Sequence, residues 1–207
     1  VAWQNEAPIL FDWADLVMIG GMLNQQPDFI YLIDLAHLHG KPVCVGGPDV
    51  SSSPHLYTDA DFQVIGEAEQ VMVHFIAAWE SGERKGVFTA EKFKIDVTQS
   101  PMPRYDLIKF DRYLFIGVQY SRGCPFTCTF CCQGTGWYTK VHNFDVARVK
   151  EEIAYIARLV KDRSPNMGTL RIADSNYGMF ERDVEISEFI GQMQRDYGWP
   201  IIDTATT

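Results

Sequence analysis

Three short apolar runs, each closed by glycine, constrain this chain more than any other feature. Leu16-Val17-Met18-Ile19 runs into Gly20-Gly21, Pro42-Val43-Cys44-Val45 into Gly46-Gly47-Pro48, and Phe62-Gln63-Val64-Ile65 into Gly66-Glu67. Continuous rather than alternating apolarity marks strands buried on both faces, as in parallel sheets. Between the runs the spacing turns helical. Phe29, Ile30, Ile33, Leu35 and Leu38 form a stripe over residues 27–39 that stops at Gly40, and Val71, Met72, Phe75, Ile76 and Trp79 form another over 69–79. This alternation predicts βαβ units on a parallel sheet, whose ligands bind beyond the carboxyl ends of the strands. One glycine turn there is only a tight connection. Three at one edge predict a ligand-binding edge, because a residue without a β-carbon lets a ligand approach the backbone.

Between residues 81 and 112 the pattern breaks into glycines, prolines (Pro101, Pro103) and mixed charges, an irregular connector with some hairpin around Gly86-Val87-Phe88. Residues 114–120 follow as a strand that delivers the chain into Ser121-Arg122-Gly123 and a cysteine-rich loop. A helix is expected over 145–161, capped by Asp145 or Asn143, with Val149, Ile153, Ile156 and Val160 as its stripe. A strand over 169–173 ends in Asp174-Ser175-Asn176, a helix covers 184–193, and Ile201-Ile202-Asp203 opens another strand. The expected fold is α/β throughout: a parallel-sheet, Rossmann-like domain over 1–85, a connector over 86–112, and the first part of a β/α barrel over 113–207. A full barrel runs to about 250 residues, so this one is expected to be partial. Val1 and Thr207 both read as cut ends, and the chain as an internal fragment.

A net charge of −9 argues against binding a phosphate backbone. No apolar run approaches the length of a membrane span and no signal peptide is visible. The tight group of cysteines suits a reducing, cytoplasmic compartment.

Three of the five cysteines lie in Cys124-Pro125-Phe126-Thr127-Cys128-Thr129-Phe130-Cys131, with Cys132 directly after. On a helix these positions would share a face and simply pack, but Gly123 and Pro125 oppose a helix through the segment. Structural zinc needs a fourth ligand, for which Cys132 and His142 are the candidates. An odd, crowded set of cysteines on a large core-forming chain does not read as a disulfide framework. Three thiolates from one loop can instead hold three corners of an iron–sulfur cube, leaving the fourth iron open to a small molecule. The loop follows a strand, and in a β/α barrel the carboxyl ends of the strands form the catalytic face.

These residues resemble a known family. Tyr120-Ser121-Arg122-Gly123 followed by the cysteine stretch, with an aromatic before the last cysteine, is similar to the signature of radical S-adenosylmethionine enzymes. Gly46-Gly47-Pro48-Asp49 and Val64-Ile65-Gly66-Glu67-Ala68-Glu69 resemble the cobalamin-binding domain of one large subgroup, and Pro101-Met102-Pro103-Arg104-Tyr105-Asp106-Leu107 its connector. Within that subgroup the chain is most similar to the C-methylating branch that includes hopanoid methylases. The resemblance implies that Cys124, Cys128 and Cys131 ligate a 4Fe–4S cluster whose open iron chelates S-adenosylmethionine. It implies that Phe130 rests against the adenine, and that Asp174, Ser175 and Asn176 bind the methionine end or nearby substrate. Gly20, Gly21, Gly46, Gly47, Pro48, Ser51, Gly66 and Glu67 would line the cobalamin site. The implied reaction is formation of a 5′-deoxyadenosyl radical and methyl transfer from methylcobalamin to an unactivated carbon of a small or lipid-like substrate, with a flavodoxin- or ferredoxin-type electron donor. Cyclisation or rearrangement, or an electron-transfer module without substrate, are the competing readings.

The chain departs from the resemblance at Cys132, which reads as a bystander thiol, and at Gln133-Gly134-Thr135-Gly136-Trp137-Tyr138, which would face substrate. His37 and His39 read as surface histidines, lying on a helix where a cobalamin lower ligand would not be. His55, His74 and His142 have no partner at ligand spacing. Arg122 and Lys140 flank the loop, where either could tune its charge. Glu67 and Glu69 open a helix, where negative charge suits the dipole, and Glu151 and Glu152 are expected on a wet helix face.

Overall fold

A computed structural model of the chain describes residues 7–91, 94–131 and 141–205, which form two compact units, Val1–Ile95 and Asp96–Thr207. The expected residue-86 boundary does not coincide with this division. Gly86–Phe88 is no hairpin: it lies in a fourth parallel strand of the first sheet.

In the first unit, a short helix α1 (Ala7–Phe11) precedes strand β1 (Val17–Gly20), helix α2 (Gln26–Leu38), strand β2 (Val43–Gly46), helix α3 (Pro48–Ser52), strand β3 (Phe62–Ile65), helix α4 (Ala68–Glu80) and strand β4 (Gly86–Thr89). The strands stand in the order β1-β2-β3-β4, all parallel, with Val17 beside Val43 and Cys44 beside Phe62. Alternate residues of β2 point to opposite faces. Val43 and Val45 therefore join Phe29, Ile33, Ala36 and Tyr57 on one face, while Cys44 joins Phe62, Val64, Val71 and Phe75 on the other. The helical stripes are narrower than their spacing predicts. Leu38 and Ile76 are exposed, and Ala36 and Ala78 take buried positions instead. Burial pushes the Cys44 thiol up to about 11, so it stays protonated and inert.

The second unit begins with irregular chain carrying three short 3-10 turns. Strand β5 (Ile116–Val118), a two-residue pair β6 (Ser121–Arg122) and β7 (His142–Asn143), helix α5 (Val146–Arg163), strand β8 (Thr169–Ile172), helix α6 (Glu181–Tyr197) and strand β9 (Ile202–Ala205) follow. β5, β8 and β9 form a parallel sheet in that order, and β6 pairs antiparallel with β7. The predicted α5 stripe is buried entire: Val149, Ile153, Ile156 and Val160 are all at or near zero exposure. Each such side chain contributes roughly 1.5–3 kcal/mol. Asp145 is the N-terminal flanking residue, without a side-chain capping bond. α6 stops at Gly198, whose φ of 74° needs the left-handed region that glycine enters freely.

Glu152 corrects the expectation of a wet helix face. It is buried, accepting a 2.6 Å hydrogen bond from Tyr105 Oη and facing Arg148 at 3.2 Å. Tyr105 belongs to the expected connector, which is held onto α5: Tyr155 Oη and Arg104 donate to the Asp106 carboxylate, Arg163 to the Asp106 carbonyl, and Arg148 to that of Pro101. Burial raises the Glu152 carboxyl above the ordinary value, and the Tyr105 bond and the Arg148 charge offset this only in part.

Candidate functional site

The first feature is the carboxyl edge of β1, β2 and β3, where the glycines that close the three apolar runs fall. Here glycine serves backbone-to-backbone packing. Gly47 has φ 98°, and a β-carbon on it would sit 3.2 Å from the Gly21 amide nitrogen and 3.3 Å from its carbonyl oxygen. A β-carbon on Gly21 would in turn lie 2.7 Å from the Phe29 ring. Ser51 Oγ accepts the Gly66 N–H at 2.9 Å, tying the third turn to α3. Asp49, which sequence reasoning had quoted only as part of a motif, is buried and accepts hydrogen bonds from Tyr57 Oη and Gln26 Nε2, locking α3 to α2. Gly21, Gly46, Gly47, Ser51, Gly66 and Glu67 are half-buried, while Gly20 and Pro48 are exposed. The edge is thus glycine-rich main chain, half-buried to exposed. Such a surface fits a large flat ligand held by backbone groups. Glu67 precedes α4 and Glu69 lies in its first turn, as their charge predicts.

His37 is partly exposed and meets the Asp61 carboxylate at 2.8 Å, an oxygen that also accepts the Val43 N–H. His39 stacks edge-on against Phe11. Both histidines have structural partners on the surface, as expected of them.

The second feature is the cysteine loop. No helix runs through residues 123–131, so the three thiols do not pack as one helical face. Gly123 turns the chain with φ 94°, and the Cys131 N–H closes a turn onto the Cys128 carbonyl at 3.1 Å. Cys124 and Cys131 are half-buried, Cys128 is exposed, and none is in a disulfide. Phe130 is 91% exposed, an aromatic face open to a ligand. Among the described residues no three His, Cys, Asp or Glu side chains stand close enough together to hold a metal ion. The thiols therefore share a loop without being gathered. As a donor set they fit an iron–sulfur cluster: soft, accessible, and carried on irregular backbone that can close around a metal. Cys132, residues 133–138 and Lys140 lie outside the described residues.

The loop leaves the carboxyl end of β5, beside the carboxyl end of β8. Asp174, Ser175 and Asn176 occupy the latter. Their environments differ. Asp174 is 1% exposed, and its carboxylate accepts the Tyr120 N–H at 2.7 Å and hydrogen bonds from the Ser121 N–H and hydroxyl. Burial raises its carboxyl, and these bonds, with the Arg182 charge, pull it back. Ser175 and Asn176 are half-buried, and Asn176 Nδ2 is a buried donor without a hydrogen-bond partner among the described residues. Arg182, which sequence reasoning missed, donates to the carbonyls of Tyr120 and Phe144 and to Asn143 Oδ1. The signal available in sequence was its position, since a cation in the first turn of a helix opposes the dipole unless something else holds it.

Parallel α/β units, one with a glycine-built carboxyl edge and one with a thiol-bearing loop at the same end of its strands, define the class of protein. Its relatives make the class specific. The chain is 38% identical over 185 residues to an uncharacterized methyltransferase of Synechocystis sp., covering 88% of this chain and 33% of that protein. It is 36% identical over 125 residues to the hopanoid C-2 methylase of Rhodopseudomonas palustris, covering 58% and 24%. An anaerobic magnesium-protoporphyrin IX monomethyl ester cyclase of Rubrivivax gelatinosus matches at 26% over 138 residues, 55% of this chain and 24% of the cyclase. Two solved structures share the fold. The cobalamin-dependent S-adenosylmethionine radical enzyme OxsB with aqua-cobalamin bound superimposes with TM-score 0.71 at 16% identity, over 93% of this chain and 30% of OxsB. The radical S-adenosylmethionine methyltransferase TsrM of Kitasatospora setae, with cobalamin and a 4Fe–4S cluster bound, gives 0.68 at 15% identity, over 94% and 44%. No family model matches the chain. The chain is thus similar in sequence to curated methyltransferases and in fold to cobalamin-dependent radical S-adenosylmethionine enzymes, and it spans about a third of the first curated relative and about a quarter of the second.

Proposed function

We propose that the protein containing this chain is a radical S-adenosylmethionine enzyme that methylates an unactivated carbon with the help of cobalamin. The observation that carries this reading is the placement of Cys124, Cys128 and Cys131 on an irregular, accessible loop at the carboxyl end of a parallel strand. The three thiolates would hold a 4Fe–4S cluster, with S-adenosylmethionine bound beside it. When bound, the cluster supplies the electron that cleaves the carbon–sulfur bond of S-adenosylmethionine, and cobalamin supplies the methyl group. This chain's residues bind and orient. Phe130 offers its exposed ring to the adenine. Asn176, with its unpartnered Nδ2, and Ser175 take the methionine end, while Asp174 serves the backbone beneath them. Gly20, Gly21, Gly46, Gly47, Pro48, Ser51, Gly66 and Glu67 line the surface that takes the corrin, where main chain replaces side chains.

The substrate is a small or lipid-like molecule, and an external one-electron donor protein reduces the cluster. Accessible thiols of this kind suit a reducing compartment, which supports a cytoplasmic location. Among the described residues no helix is long and apolar enough to cross a membrane. The cyclase relative favours one second reading, cobalamin-dependent radical cyclisation without methyl transfer.

The test uses the full-length protein, reconstituted anaerobically with iron and sulfide and desalted. Added reductant and S-adenosylmethionine are expected to yield 5′-deoxyadenosine by chromatography, and cobalamin absorbance is expected to stay with the protein. No 5′-deoxyadenosine from protein with a verified cluster sinks the radical reading, and loss of cobalamin on desalting sinks the second cofactor.

A further inference from the structure

We infer that Asp174 and Arg182 form a clamp on the neck of the cysteine loop, and that Arg182 is a positioning residue for the cluster. The inference deepens the proposed function and rests on it. The loop leaves β5 through Tyr120-Ser121 and returns through Asn143-Phe144. The two strands of this neck are only two residues each, paired Ser121 with Asn143 and Arg122 with His142, with the Phe144 N–H donating to the Tyr120 carbonyl at 3.1 Å. A ladder this short does not hold itself together in water. Asp174, from the end of β8, accepts the Tyr120 N–H at 2.7 Å. Arg182, from the first turn of α6, donates to the Tyr120 carbonyl at 3.2 Å, to Asn143 Oδ1 at 3.0 Å and to the Phe144 carbonyl at 2.8 Å. Both polar groups of one peptide-bearing residue, Tyr120, are thus held by opposite charges from the neighbouring βα turn. The guanidinium fork reaches both strands of the neck at once, which a lysine ammonium does less well.

The neck is anchored below as well as above. The Tyr120 side chain is fully buried, and Phe144 is buried under the guanidinium of Arg148, 4.6 Å from the ring centroid. Cys124 follows Ser121 by three residues. Where the neck stands therefore decides where the first thiol starts, and groups that orient ligands are nearly as consequential as the ligands themselves. The clamp also accounts for the burial of Asp174, which a residue serving only as an open ligand contact would not need.

The test compares full-length wild type, Arg182→Met, Arg182→Lys and Asn143→Ala, each reconstituted anaerobically. The readouts are iron per chain, the rate of iron release to a ferrous chelator, the electron paramagnetic resonance spectrum of the reduced cluster, and far-ultraviolet circular dichroism. Arg182→Met is expected to keep the wild-type dichroism and to release iron faster by about tenfold or more, the range seen when outer-shell partners of metal ligands are removed. Arg182→Lys is expected to fall between it and wild type. Wild-type release and an unchanged spectrum in Arg182→Met overturn the clamp. Should Arg182→Met fail to fold, Asn143→Ala decides: it removes one of three acceptors, and a release rate equal to wild type overturns the clamp while a several-fold rise supports it. A wild type that takes up no iron contradicts the cluster itself, an outcome distinct from failure of the clamp.

Discussion

Replacing Cys128 by alanine in the full-length protein is expected to abolish cluster binding while leaving the fold intact. Cys128 is the exposed member of the three, on a loop without regular structure, so its removal opens no cavity and breaks no core contact. The loss falls on the metal alone. A cube held at two corners instead of three has two irons open to solvent and chelators, and iron content after desalting is expected to fall from about four per chain to near zero. Cys132→Ala is expected to retain the cluster, and Cys44→Ala likewise, since Cys44 is buried with its thiol held protonated. Equal iron loss in Cys132→Ala and Cys128→Ala would show that the ligand set is misassigned.

Arg148→Met is expected to cost about 3 kcal/mol of stability near pH 8, because removing one member of a buried ion pair strands the other. Arg148 meets Glu152 at 3.2 Å, with side chains 16% and 3% exposed, and methionine of similar length fills the space without the charge. The pH dependence has a definite sign. Burial already holds the Glu152 carboxyl above 4.5, and loss of the guanidinium raises it further. The folded variant then keeps a proton that the unfolded chain gives up, so its stability falls as pH rises from the unfolded carboxylate value through the folded one. Toward lower pH the folded carboxyl keeps its proton and the penalty shrinks. Urea unfolding at pH 5 and pH 8 measures this, and Arg148→Met combined with Glu152→Gln is expected to remove the difference. An equal loss at both pH values would mean that Glu152 is not the stranded charge.

Much of the architecture was legible because its signals are local. Val149, Ile153, Ile156 and Val160 repeat at helical spacing and all are buried; Pro42 to Gly47 reads as a strand and its turn and is one. The misreadings share a physical cause, dependence on residues distant in sequence. Glu152 lies three residues after Val149 and four before Ile156, on the buried stripe itself, but only Tyr105, 47 positions upstream, and Arg148 make its burial tolerable. Gly86-Val87-Phe88 reads locally as a hairpin, but its partner is β3, reached across α4 rather than by a turn. Of the candidate site, the thiols and glycines are visible as residue types at telling spacing. The hold on the loop is not: Asp174 is 54 positions from Tyr120 and Arg182 is 62, and no period links them. The glycine turns carry a further lesson, since Gly47 is required by the backbone of Gly21 before any ligand arrives.

On the proposed function, the loop leaves one iron open for S-adenosylmethionine. Electron paramagnetic resonance of the reduced full-length protein, recorded with and without S-adenosylmethionine, tests it most directly. A cluster with an open iron is predicted to change its spectrum when the amino and carboxylate groups bind. An identical spectrum in both samples, with four irons per chain, would mean a fully ligated electron-transfer cluster and would contradict the claim.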